Sequence, residues 1–216
     1  MLTVFDKLMI LSLHDEMCTV LPSFAKRLEA SLGGAILADL VLLGKVCVGS
    51  SSKLEMVDLS EIGDGMLDRT LHRFQDIKQR RKVTYCIELL NKEFGKHRKK
   101  QIGRLISEGI LSQGEDGPTW VTPYAGSPNP NASAKFSLKS HLRELVLTRG
   151  ELELPDLALL DLAKANKLLS LIFTKDERKV ARRWIYTSVM TKALNDPIAQ
   201  SLQEINIAVE SLNGNS

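Results

Sequence analysis

Hydrophobic positions along most of the chain recur at the three-to-four-residue spacing of an amphipathic helix. Phe24, Leu28, Leu32, Ile36, Leu40 and Leu43 share one face of a segment that Pro22 can begin and Gly44 can end. Gly33 and Gly34 fall inside it, where glycine weakens a helix, so the pattern predicts a second helix pressed close against that backbone. Asp64 is an N-cap type for a helix burying Met66, Leu67, Thr70, Leu71, Phe74 and Ile77. Further helices are predicted over 83–94, with Cys86, Ile87 and Leu90 inward, and over 98–108, closed by Gly109. Helical periodicity returns at 138–147, 155–173, 175–194 and 197–212. Thr174 and Glu177 form a capping box before the third of these, and Asp196-Pro197 opens the fourth. The 155–173 segment is so apolar that it is expected to be the central buried helix.

Two stretches break the helical spacing. Val46 and Val48, then Leu54, Met56 and Val57, flank Gly49-Ser50-Ser51-Ser52 as in a short β-hairpin. Over 112–136 the periodicity fails and four of the seven prolines gather, which predicts a loop or hairpin insertion, with a strand option through Thr119-Trp120-Val121. The sum is roughly two thirds helix, far above the usual third, so the fold class is all-α: one compact multi-helix bundle over 1–212, one or two small hairpins, and a tail over 213–216.

Composition leaves that picture intact. The 216 residues are 44% hydrophobic and 25% charged, the balance of an ordinary globular domain able to bury its own core. Cys18, Cys47 and Cys86 are odd in number and far apart, which excludes a disulfide framework and reads as reduced thiols in a cytosolic chain. The opening residues lack the basic start and cleavage site of a signal peptide, and no uncharged run suits a membrane span, so any membrane role is expected to be peripheral.

Charge changes the picture more. Between Arg69 and Arg104 stand 12 Lys and Arg against three acids, a net +9, which leaves −6 for the rest of the chain. Such asymmetry points to a polyanionic partner, nucleic acid or anionic lipid, as readily as to solvated helix faces.

Catalytic and metal chemistry find no foothold. His14, His72, His97 and His141 have no metal-ligand spacing, and Gly63-Asp64-Gly65 lacks the lysine and the parallel-sheet setting of a phosphate loop. Asp64 and Asp68 are four apart and could pair as an acid and a base, but a capping Asp followed by a first-turn acid explains them better. No enzyme activity, cofactor or metal is expected. The basic run Arg98, Lys99, Lys100 and Arg104, followed by Gly109-Ile110-Leu111 and Trp120-Val121-Thr122, has the order of a recognition helix and wing, which keeps a winged-helix DNA-binding protein as the alternative reading.

Several blocks together resemble the Golgi phosphoprotein 3 family: Gly33-Gly34-Ala35-Ile36-Leu37-Ala38-Asp39-Leu40 continuing to Val46, Ile62-Gly63-Asp64-Gly65-Met66-Leu67-Asp68-Arg69, 105–111, and 157–177. The opening Leu8-Met9-Ile10-Leu11-Ser12-Leu13-His14-Asp15 fits the same family, and the similarity runs in order from Leu2 to Leu212. The resemblance implies a helical, non-enzymatic adaptor that docks on cytosolic membrane faces, the Golgi in eukaryotic members, through phosphatidylinositol 4-phosphate. It also implies that the chain holds cytosolic tails of membrane proteins, with self-association through the 112–136 region. The family's headgroup site uses a Trp and three Arg. Aligned by eye, Phe24 takes the Trp position, Gly33 and Gly95 take two Arg positions, and Arg98 is retained. The chain opens at the domain itself, as in shorter prokaryotic members. The candidate lipid-binding residues are therefore Phe24, Lys96, Arg98, Lys99 and Lys100. With two arginines replaced by glycine, diffuse attraction to anionic lipid is expected in place of selectivity for one headgroup.

Overall fold

A computed structural model describes residues 2–14, 22–77, 81–92, 94–114, 117–120 and 134–214. Among these it has ten α-helices and two small antiparallel two-stranded sheets, with 69% helix. The order is α1 (Val4–Ser12), α2 (Pro22–Leu42), β1 (Val46–Gly49), β2 (Lys53–Met56), α3 (Leu67–Gln75), α4 (Val83–Asn91), α5 (Phe94–Ser107), β3 (Leu111–Gly114), β4 (Gly117–Trp120), α6 (Ala134–Leu147), α7 (Leu154–Ala165), α8 (Leu169–Ile172), α9 (Glu177–Ala193) and α10 (Pro197–Gly214).

The predicted long helix is α2, and it occupies the centre. Every residue from Ala30 to Val41 is buried, and α1, α4, α7 and α10 all pack around it. Its two glycines explain how so many helices can come so close. A Cβ on Gly34 would stand 2.5 Å from Val209 Cγ2 of α10 and 3.2 Å from Leu162 Cδ2 of α7. A Cβ on Gly33 would meet the Asn91 side-chain amide at 3.0 Å and Ile87 Cγ2 at 3.1 Å, both on α4. The helix ends as its sequence requires: Gly44 has a φ of 69°, and the N–H groups of Gly44 and Lys45 return to the carbonyls of Val41 and Leu40 at 3.0 and 2.9 Å.

Other local signals also take the form that the sequence predicts. The first hairpin pairs Val46 with Met56 and Gly49 with Lys53. Asp64 Oδ1 accepts the N–H groups of Met66 and Leu67 at 2.8 and 3.1 Å, and Asp68 accepts those of Ile62 and Gly63 at 2.7 and 3.1 Å. Both carboxylates thus serve the backbone, as capping predicts. Gly109 closes α5 with a φ of 71°, Glu177 Oε2 accepts the Thr174 N–H at 2.9 Å, and Asp196 Oδ1 accepts the Ile198 N–H at 2.8 Å.

Two expected helices need correction, and the 112–136 stretch takes one of its two expected forms. The 155–173 segment is two helices, α7 and α8, because Lys167 adopts a φ of 62° and the Leu168 N–H reaches back to the Ala163 carbonyl at 2.8 Å. This is a helix stop made without glycine, and α7 lies buried beside the central α2. The helix expected from 98 begins at Phe94. The 112–136 stretch contains a hairpin, with Leu111 opposite Trp120 and Gly114 opposite Gly117, and α6 begins inside it at Ala134. Residues 121–133 lie outside the described residues.

The buried helix α1 has polar neighbours from distant parts of the chain. Thr3 and Asp6 form a capping box, with Thr3 N–H to Asp6 Oδ2 at 2.9 Å and Asp6 N–H to Thr3 Oγ1 at 3.1 Å. Asp39 of α2 accepts the next two amides, Val4 on Oδ1 at 2.8 Å and Phe5 on Oδ2 at 3.0 Å. Burial pushes the Asp39 carboxyl up to about 7 against the opposing pull of those two N–H groups.

Two outcomes test this packing. Gly34→Ala is expected to destabilise by about 1–3 kcal/mol through overpacking against Val209, whereas Gly103→Ala on α5, where a Cβ meets nothing within 4 Å, is expected to stabilise by about 0.5–1 kcal/mol. Chemical denaturation of both variants checks the sign. Because the folded Asp39 holds its proton up to about pH 7 and the unfolded one releases it near 3.8, its contribution is complete below pH 3.8 and lost as pH rises through 7. In thermal melts from pH 5 to 8.5, wild type is therefore expected to lose ground against Asp39→Asn up to about pH 7 and to level off above it. A constant gap would contradict the assignment.

Candidate functional site

The cationic segment gathers on α5, whose sequence divides it into two faces. Gln101 and Leu105 are buried, and one turn apart they fix the inner side of the helix. Gln101 Nε2 and Arg104 Nη2 both donate to the carboxylate of Asp6, which is completely buried in α1. Arg104 also donates through Nη1 to Asp64 Oδ2 at 3.1 Å and stands 3.6 Å from Glu108. The arginine is thus a bridge between α5, α1 and the cap of α3, and its charge is spent inside the fold.

Lys99, Lys100, Gly103 and Ser107 are exposed on the other side. Neither lysine has an acidic partner among the described residues. Of the predicted set, Lys96, Arg98, Lys99 and Lys100 share this one helix, the side chains of Lys96 and Arg98 lying outside the described residues. Phe24 stands in the first turn of α2, half-buried and packed against the hydrophobic core. Gly33, at a position where the resemblance places an arginine, is buried at the α2–α4 crossing, where a Cβ would already stand 3.0–3.3 Å from Asn91 and Ile87.

Elsewhere in the cationic segment, several charges of the described residues are exposed but scattered. Arg69 projects from α3 and Lys92 follows α4, while Arg81 lies over the Tyr85 ring at 5.2 Å. Among the described residues no group of three or more His, Cys, Asp or Glu is placed to hold a metal, and no helix is long and apolar enough to cross a membrane. Cys86 is a buried thiol pushed by desolvation up to about 11, which makes it a packing residue.

A second cationic group comes from two segments that the sequence pattern does not connect. Arg149, just after α6, and Lys179 and Arg183 of α9 border a cleft of about 520 Å³ with Trp184 and Thr187. The only local signal is the density of bases in Arg178-Lys179-Val180-Ala181-Arg182-Arg183.

The two faces of α5 separate in mutation. Arg104→Met leaves Asp6 buried without its cation and is expected to destabilise by about 3 kcal/mol, while Lys99→Glu with Lys100→Glu stays within about 0.5 kcal/mol of wild type. Denaturant titration of the two variants measures both. A large loss in the lysine variant would place those side chains in structural ion pairs.

With this arrangement described, comparison with known proteins adds a family. Curated proteins give no match. The family model for Golgi phosphoprotein 3 (GPP34) matches residues 5–205, a span that runs from α1 well into α10 and includes both faces of α5. The chain belongs to the Golgi phosphoprotein 3 family.

Proposed function

We propose that this chain is a non-enzymatic adaptor that docks on the cytosolic face of a membrane, with the outer face of α5 attracted to anionic phospholipid. The observation that carries the reading is the division of α5. Its Arg104 and Gln101 are committed to Asp6, and Lys99 and Lys100 face solvent without acidic partners among the described residues. Each lysine near an anionic surface is worth about 1 kcal/mol, enough for reversible association when a few act together. Family membership supports the adaptor role, as does the Golgi association of that family. Cytosolic tails of membrane proteins are the second class of partner that this reading assigns.

Two details of the reading differ from the family pattern. Gly33 is buried in a tight α2–α4 contact and offers no side chain to a headgroup, so the α5 face attracts charge in general and does not itself select one headgroup. Phe24 has most of its packing inside the protein, so it contributes at most a shallow apolar edge. The DNA-binding alternative has less to support it, because Gln101, Arg104 and Leu105, three positions of its recognition helix, are turned into the fold.

Sedimentation with vesicles tests the proposal. Wild type is expected to bind phosphatidylglycerol-containing vesicles, to fall off as salt rises past the point where the Debye length drops below about 8 Å, and to be released by Lys99→Glu with Lys100→Glu. Equal binding to neutral phosphatidylcholine vesicles at high salt would overturn it.

A further inference from the structure

The cleft beside α9 is built from donors. Arg149, Lys179 and Arg183 supply three cations and Thr187 a hydroxyl, and none of the three cations is ion-paired among the described residues. Trp184 stands in the wall, half-buried, with an indole Nε1–H that is out of solvent and has no acceptor among the described residues. A smaller hollow of about 310 Å³ adjoins it, sharing Arg149, Trp184 and Thr187 and adding Leu152. Its one acid, Glu151, is already engaged by Lys192 at 3.5 Å. Three exposed cations around one concavity with an aromatic wall focus a positive potential there, which draws an anion in.

The backbone sets where Arg149 enters the cleft. The α6 helix ends with the N–H groups of Arg149 and Gly150 returning to the carbonyls of Val146 and Leu145 at 3.3 and 2.9 Å, which puts Arg149 in the left-handed region at a φ of 55°. Glycine is the unstrained residue for that position, yet the one glycine available stands at the next residue and the left-handed position carries an arginine. Lys167 ends α7 in the same conformation, so the turn serves here to place Arg149 at the cleft.

We infer that this cleft binds a phosphomonoester carried on a small organic body. Two arginines can each offer paired N–H groups to a phosphate, and a dianion answers three cations better than a single carboxylate does. The volume leaves space beyond a bare phosphate, and Trp184 with Leu152 gives the carrier an apolar surface to lie on. The same chemistry is present in a soluble phosphorylated molecule and in a lipid headgroup with a terminal phosphate. The site uses neither Lys99 nor Lys100, so it stands or falls independently of the α5 face.

Glycerol 3-phosphate, titrated into the full chain by calorimetry, is expected to bind saturably. Arg149→Gln with Arg183→Gln is expected to weaken it at least tenfold, and Lys99→Glu with Lys100→Glu to leave it unchanged. Arg149→Gly provides the sharper check: it removes the cation while relieving the backbone, so affinity is expected to fall while the thermal midpoint holds or rises. Vesicles of phosphatidic acid and of phosphatidylglycerol, matched in surface charge, separate the two sources. A preference for phosphatidic acid that disappears in the Arg149→Gln, Arg183→Gln protein assigns the cleft to a lipid headgroup, and saturable glycerol 3-phosphate binding without such a preference assigns it to a soluble ligand. The inference is overturned if neither probe binds, or if binding survives loss of both arginines.

Discussion

A nine-residue helix with eight of its side chains out of water cannot turn to solvent to satisfy its ends, and α1 is such a helix. Four amides at its start need acceptors inside the protein. Thr3 and Asp6 provide two by capping each other, and Asp39 provides two more from the middle of α2. At the other end Lys135 of α6 donates to the carbonyl of Leu13. The side of the helix is tied as well, by Lys7 to Asp156 of α7 at 3.1 Å, and Asp156 in turn meets His141 of α6 at 3.0 Å. Most of the bundle is arranged around the need to complete this one buried element, and the positions of α2, α5, α6 and α7 relative to each other follow from it.

That requirement also orients α5. A helix bearing lysines and arginines along its length has no intrinsic reason to present one face. The buried carboxylate of Asp6 provides the reason, because it draws Arg104 and Gln101 inward and thereby turns Lys99 and Lys100 out. The interior ion pair is costly to desolvate and adds little net stability over an apolar contact, so its use is better seen in the geometry it imposes. The charge offered to a partner is set by a contact the partner never touches.

Much of this fold is legible in the sequence because its punctuation is local. Gly44, Gly109, Asp64, the Thr174–Glu177 box and Asp196-Pro197 each act within a few residues of themselves, and each stands where the reading of the chain puts it. The stop at Lys167 escapes such a reading, since it uses the left-handed conformation without glycine. For the same reason 155–173 reads as one helix. The candidate site is legible as a charge excess, but not as a partition: nothing in the spacing of Arg98, Lys99, Lys100 and Arg104 tells which cation faces Asp6, 98 residues from Arg104. The α9 cleft is less visible still, because Arg149 reaches it from a different helix end than Lys179 and Arg183 do.

The ties of α1 also bear on the order in which the chain can assemble. Asp39 lies 35 residues from Val4, Arg104 lies 98 from Asp6, and Asp156 lies 149 from Lys7. Each closes a loop longer than the one before, and closing loops of such length is entropically unrewarded until the elements between them have formed. Made before the segments that complete it, α1 therefore waits for the Asp156 tie to have all its partners, and until then its apolar face is exposed surface in search of cover.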